Sequence, residues 1–347
     1  MEKEDEIKAV LSQRRIYAAI FICVLITAFI YYREFTTNTG NINAITWTWR
    51  AIFYLFLALI MIAFRDLAYM ARVRILTGKQ LSWKQSFTVI MLWEFASAIS
   101  PGVVGGSAVA LFILQREKIP IGKSTALVII TLILDNLFYL LFIPAVFLFI
   151  DLNSLFPANL DWIANKGMTL FWLGYGLILA ITIILGLSVF YSPKIIHFFV
   201  RLLFKLPFLK KRKAKAEEFS RDIEIASKEL RHKNAPFWLQ LFGATVWSWI
   251  SRFLVVNFVL FAFIELQLID HFMILARQLV MWLLMLITPT PGGGGMAEFA
   301  FSALFADYML TIGISGASLA LIWRTLSYYP YLAIGSFLLP KWLRKRR

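Results

Sequence analysis

Cysteine is almost missing from this sequence. Its one example, Cys23, lies inside an apolar run. No disulfide can form within the chain and no cysteine-based metal site is available. Histidine is nearly as scarce. His197 and His232 sit in basic segments and His271 in a short loop, so no metal and no cofactor are expected. The chain has no GxxxxGK[ST], which argues against ATP-driven transport by this chain alone. It also has no GxSxG and no HExxH. Charge is thin as well: Asp, Glu, Lys and Arg make up 16% of residues, against about a quarter in soluble domains. Acidic residues are the scarcer sign, 20 against 35 basic, for a formal net charge of +15.

What is present is apolar. Hydrophobic residues account for 60% of the chain, with 32 Phe and a mean hydropathy of +0.73. These figures exclude a soluble globular protein and a disordered one. Met1-Glu-Lys-Glu-Asp-Glu6 is not the n-region of a cleaved signal peptide. The reading is an all-α polytopic protein of the cytoplasmic (inner) membrane, a single integral membrane domain over 1–347.

Six segments have the length and composition to cross a bilayer: Ile16–Tyr32, Ala44–Phe64, Ser124–Ile150, Met168–Tyr191, Phe237–Phe263 and Ser315–Leu339. Two other apolar stretches, Ser86–Leu114 and Phe272–Leu310, are interrupted by Ser100–Gly106 and Thr288–Gly295. Their flanks, at roughly 20–25 Å of helix each, are too short to span comfortably. Most Lys and Arg fall in five clusters: the N-terminus, Arg65–Lys84, Arg116–Lys123, Lys194–Lys233 and Lys341–Arg347. The loops at 33–43, 151–167 and 264–271 hold only Arg33 and Lys166. Basic clusters favour the cytoplasmic side. All five can lie there only if both interrupted stretches dip in and return. Both are therefore expected to be re-entrant hairpins, entering from opposite sides, with cytoplasmic N- and C-termini.

That arrangement is an inverted repeat, each half three spanning helices plus one re-entrant helical hairpin, over about 16–150 and about 168–339. The residues support it directly. Pro101, Gly102 and Gly105 align with Pro291, Gly292 and Gly295, and Leu134–Tyr139 aligns with Trp323–Tyr328 at nearly the same offset. Inverted repeats with broken helices are typical of secondary transporters, whose substrate site lies near the midplane. A basic amphipathic loop at 192–236, with Lys194, His197, Arg201 and Lys205 at helical spacing, joins spans of the second half. It reads either as a contact for anionic phospholipid or as a topology determinant. No nucleic-acid-binding pattern accompanies it.

The candidate substrate site is drawn from the hairpin tips and the intramembrane charges. Gly105, Gly106 and Ser107 in the first tip, and Gly292, Gly293, Gly294 and Gly295 in the second, permit close backbone approach. The following half-helices present N–H groups and positive dipole ends suited to phosphate. The alternative is that these glycines only let helices pack. Glu94, Asp135 and Glu298 face Arg252, Arg277 and Arg324, either as ion pairs holding the bundle together or as the walls of a polar cleft for a headgroup. Arg50, beside Trp47 and Trp49, reads as an interfacial anchor.

Ser100–Ser107, then Pro291, Gly292, Gly293, Gly295 and Glu298 in a PGGxGxxE pattern, then Arg324, resemble the lysylphosphatidylglycerol synthase transmembrane (flippase-like) family. The resemblance covers roughly 12–345. It implies a membrane domain that moves lipid between leaflets, while a soluble domain of the full-length synthases transfers the aminoacyl group from tRNA. That soluble domain is not expected here. The function read from the sequence is thus a flippase or translocator for a phospholipid, aminoacylated or not, or a polyprenyl-linked lipid, with no catalytic residue assigned. The alternatives are a membrane-embedded lipid transferase of the phosphatidylglycerol lysyltransferase type, with Glu298, Asp135 or Glu94 as base, and a membrane partner for a separate synthase. A homo-oligomer is a further expectation.

Overall fold

The computed structural model describes residues 45–100, 102–151, 154–155, 161–192, 230–286, 290, 292–310 and 313–345, with isolated positions within 21–36 and 194–228. The expected span Ile16–Tyr32 and most of the loop 192–236 lie outside the described residues. Those described are helical: α1 Trp49–Leu76, α2 Trp83–Ile99, α3 Gly102–Arg116, α4 Ile121–Phe147, α5 Asp161–Gly186 (running into a π-helical turn, Leu187–Tyr191), α6 Ala235–Phe261, α7 Leu268–Leu286, α8 Met296–Leu304, α9 Ala306–Leu310, α10 Gly316–Ser327 and α11 Tyr329–Lys345. Among the described residues four helices are long and apolar enough to cross a membrane: α1, α4, Phe171–Tyr191 and α6. The protein is an integral membrane protein, and large apolar side chains such as Phe53, Phe56, Leu173 and Leu177 face outward.

Local chemistry sets the helix ends. The Thr48 hydroxyl accepts from the Ala51 N–H and starts α1, while Ser82 and Gln85 form a reciprocal capping box at the start of α2. Asn234 caps α6 ahead of a proline in its first turn. Helix α2 stops at Ser100, held extended (φ −90°, ψ 139°) by the following Pro101.

Both interrupted stretches fold back on themselves as helical hairpins. In the first, α2 packs on α3. The Gln85 amide donates to Glu117 at the base (3.1 Å), and near the tip a Cβ on Gly106 would overlap the Ser97 side chain. In the second, α7 is closed against α8 and α9. The Tyr308 hydroxyl donates to Asp270 (3.0 Å) and Arg277 pairs with Asp307 (2.6 Å).

The segment expected as one span over Ser315–Leu339 is instead two helices, α10 and α11, broken at Tyr328. Pro330 is the physical reason, because its ring lacks an N–H and clashes with the carbonyl one turn earlier. Tertiary contacts repay the break. The Tyr328 hydroxyl donates to the Ala98 carbonyl in the first hairpin (2.9 Å), and α11 is then fastened along α2, where Gly335 lies against the Phe95 ring. The Trp342 indole donates to Glu117 (2.7 Å).

Helices α1 and α6 lie along one another as the central pair. One apolar core joins α1, α2, α3 and α11 around Phe95, Met91, Leu114 and Trp342. A second joins α4, α6, α7 and α8 around Phe138, Tyr139, Phe301 and Phe305. The candidate site lies where the two cores face each other.

Candidate functional site

A cavity of about 380 Å³ opens between the helix breaks. That size falls in the range of small-molecule sites. Its wall takes Ser97, Ala98 and Ser100 from the first break, Thr290, Gly292 and Gly293 from the second, and Trp323, Arg324, Ser327 and Tyr328 from the third. Tyr328 ties the three together. Its hydroxyl is bound to Ala98, its ring lies where a Cβ on Gly292 would fall, and the Arg324 guanidinium stacks on it at 4.0 Å. Gly292 adopts φ +56°, a backbone region that L side chains rarely occupy.

Four arginines line the cavity: Arg65, Arg72, Arg252 and Arg324. Arg324 and Glu298, both among the expected intramembrane charges, pair at 2.9 Å with side chains 5% and 4% exposed. Arg324 also donates to the Gly292 carbonyl (3.0 Å). Glu298 accepts the Gly295 N–H at 2.8 Å, so the N–H of the residue that caps α8 is taken by the helix's own carboxylate.

The other two intramembrane carboxylates have partners that differ from those expected. Asp135 takes Arg72 (2.6 Å) and the Trp249 indole (3.1 Å). Glu94 meets Arg65 at 3.6 Å, and Arg65 also holds Asp66 at 3.0 Å. The Tyr331 hydroxyl donates to Asp66 (2.7 Å). Arg252 has no carboxylate partner among the described residues. One of its N–H groups reaches the Tyr69 hydroxyl (3.2 Å), its guanidinium lies 5.0 Å from the Trp249 ring centroid, and its Nε is buried without a partner.

Of the expected site residues, Glu94, Ser107, Asp135, Arg252, Gly292, Gly293 and Arg324 line the cavity together. Glu298 stands behind the wall, joined to it through Arg324. Gly294 and Gly295 are outside the lining, as is Gly106, whose closeness to Ser97 fits helix packing. The surroundings of the Gly105 Cα lie outside the described residues. Arg277 is elsewhere, between Asp307, the Leu304 carbonyl (2.9 Å) and the Ser154 carbonyl (3.3 Å). Arg50 bonds Glu265 (3.1 Å) and the Ile264 carbonyl (2.9 Å) near Trp47.

The sequence reading missed Arg65, Tyr69 and Arg72 as wall residues, because they were counted with the cytoplasmic basic cluster. Helix α1 runs on to Leu76 instead of ending at Phe64, which carries them into the bundle. Their spacing of four and then three residues on one helix face was the available signal. Among the described residues no group of three or more His, Cys, Asp or Glu could hold a metal.

A model of the lysylphosphatidylglycerol synthase TM region matches residues 16–335. The chain belongs to that family. It is also similar to a UPF0104 membrane protein of Archaeoglobus fulgidus, 24% identical over 332 residues, which covers 91% of this chain and 94% of the relative. No solved structure matches. The matched residues 16–335 include the PGGxGxxE segment, Arg324 and the residues that line the cavity.

Proposed function

We propose that this protein is a lipid translocator of the inner membrane, in which a lipid headgroup passes through the cavity while its acyl chains stay in the bilayer. One observation carries the reading: a cavity lined by four arginines and by all three helix breaks, inside an apolar chain of a lipid-synthase membrane family. Charges at that depth cost about 2.5–3.5 kcal/mol each on insertion scales, so intramembrane charges mark substrate paths more often than they arise without function. The family takes its name from the membrane region of lysylphosphatidylglycerol synthase, which supports a role with membrane lipids.

On this reading both helical hairpins are re-entrant and the two halves form the inverted repeat. The termini are cytoplasmic, and rocking of one half against the other alternates access to the cavity. Tyr328 is the contact between halves that must rearrange, since it touches both hairpin tips. The test is a leaflet-accessibility assay. Protein reconstituted into liposomes should expose inner-leaflet fluorescent phosphatidylglycerol, phosphatidylethanolamine or a polyprenyl phosphate probe to an external quencher. Quenching no greater than in empty liposomes for all three probes would refute translocation.

A further inference from the structure

The cavity wall carries donors that nothing among the described residues answers. Three of its four arginines are matched: Arg65 by Asp66 and Glu94, Arg72 by Asp135, Arg324 by Glu298. Arg252 forms no ion pair within 4 Å among the described residues: it bonds the Tyr69 hydroxyl and lies against the Trp249 indole, with Glu94, already paired to Arg65, as a more distant electrostatic neighbour, and its Nε is buried and unbonded. The hydroxyls of Ser100 and Thr290 are also buried without partners, and both residues line the cavity. Ser100 is 4% exposed. Buried polar groups in folded proteins are nearly always bonded, so three orphans on one wall call for an explanation.

Ser100 and Thr290 hold matching places in the two hairpins, each immediately before a proline, Pro101 and Pro291. A residue before proline is driven out of helical geometry. At Ser100 this takes the hydroxyl off α2, where it would otherwise bond the carbonyl one turn back as Thr245 and Ser336 do, and Thr290 lies beyond the last residue of α7, Leu286.

We propose that Arg252, Ser100 and Thr290 form a subsite for a phosphate oxyanion, the group by which the cavity recognises its lipid. A guanidinium and two hydroxyls can donate together to one acceptor-rich anion, and charge-assisted bonds to phosphate oxygens are the strong kind. A cationic headgroup finds no equivalent place. Asp66, Asp135 and Glu298 are held by arginines at 3.0 Å or less, and only Glu94 has a looser contact. The inference deepens the translocator reading by naming the feature selected, and binding can be tested apart from movement.

The experiment titrates purified full-length protein in detergent with dihexanoylphosphatidylglycerol, with the phosphate-free dihexanoylglycerol, and with inorganic phosphate. Binding is followed by intrinsic tryptophan fluorescence, since Trp249, Trp282 and Trp323 line the cavity. The phosphatidylglycerol should bind saturably and the diacylglycerol should not. Arg252→Gln should weaken binding at least tenfold while Tm changes little, because the half-buried Arg252 is in no ion pair that the change would break. Ser100→Ala with Thr290→Ala should weaken it several-fold, and this pair carries the test should Arg252→Gln fail to fold. Inorganic phosphate competing at concentrations similar to the lipid would assign the subsite to free phosphate; competition only at far higher concentration would assign it to a headgroup. Equal affinity in the variants, or equal binding of the phosphate-free lipid, would overturn the proposal. Phosphate-dependent binding without leaflet exchange would leave the subsite standing and remove the translocator. Exchange in wild type that Arg252→Gln leaves untouched, with binding also unchanged, would do the reverse.

Discussion

Neutralising one partner of the Arg324–Glu298 pair should destabilise the protein far more than neutralising both. The two charges are 2.9 Å apart with side chains about 5% exposed, so neither can be rehydrated where it stands. Removing one member of such a pair costs about 3–5 kcal/mol, whereas exchanging both for neutral groups is often close to neutral. Local contacts place each single change near the lower end. In Arg324→Gln, Glu298 keeps the Gly295 N–H. In Glu298→Gln, Arg324 keeps the Gly292 carbonyl and the Tyr328 face. We therefore expect about 3 kcal/mol for each single variant, about 2 kcal/mol for the double, and a coupling of about 3–5 kcal/mol from the cycle. Denaturant unfolding in detergent, with Arg50→Gln at an exposed ion pair as a control worth about 0–1 kcal/mol, measures these differences. Additivity within about 0.5 kcal/mol would refute the reasoning. The charge-reversed double, Glu298→Arg with Arg324→Glu, should not recover stability. An arginine cannot accept the Gly295 N–H and a glutamate cannot donate to the Gly292 carbonyl, and each orphaned group costs about 1–3 kcal/mol.

Tyr328→Phe removes the bond to Ala98 and should cost about 1 kcal/mol in unfolding experiments, with a larger proportional effect on leaflet exchange because both hairpin tips meet at that ring. Gly292→Ala must hold a side chain at φ +56° against Tyr328, whereas Gly78→Ala meets only its φ of +63° in open space. Backbone strain alone is worth about 1–2 kcal/mol, so Gly292→Ala should lose clearly more stability than Gly78→Ala, and equal losses would remove the packing argument. Single cysteines replacing Gly40, Asn159 and Gln267 should be labelled from outside intact cells and ones replacing Gln80, Ala216 and Arg346 should not. Outside labelling at Gln80 or Arg346 would contradict the charge-parity argument.

Hydropathy and charge made the long helices legible, because a bilayer demands contiguous apolar length and nothing else in a sequence supplies it. Helices α4 and α6 lie within a few residues of the segments read for them. Both hairpin breaks were legible too, since proline and glycine act on the backbone locally. The break at Tyr328 was not. Prolines inside apolar helices are often tolerated, and here Pro144 and Pro340 lie within α4 and α11 without ending them. What distinguishes Pro330 is tertiary: a tyrosine beside it that finds Ala98 and Gly292, residues far away in sequence.

The pairing of charges was illegible for the same reason. The sequence could say that buried carboxylates and arginines need partners, and it set Glu94, Asp135 and Glu298 against Arg252, Arg277 and Arg324. It could not say that α1 continues past Phe64 and delivers Arg65 and Arg72 to Glu94 and Asp135. Once those two arginines enter the count, the meaning of Arg252 changes. Read from sequence, it was one of three cations matched to three carboxylates. In the fold the carboxylates are taken, and Arg252 becomes the cation left over on a wall whose remaining orphans are hydroxyl groups. An ion-pair scaffold alone would have no use for a half-buried charge held in no ion pair, since desolvating an unpaired ion lowers stability. A cavity that must attract an anion and later release it does have one, because an arginine locked to a carboxylate would first have to be freed.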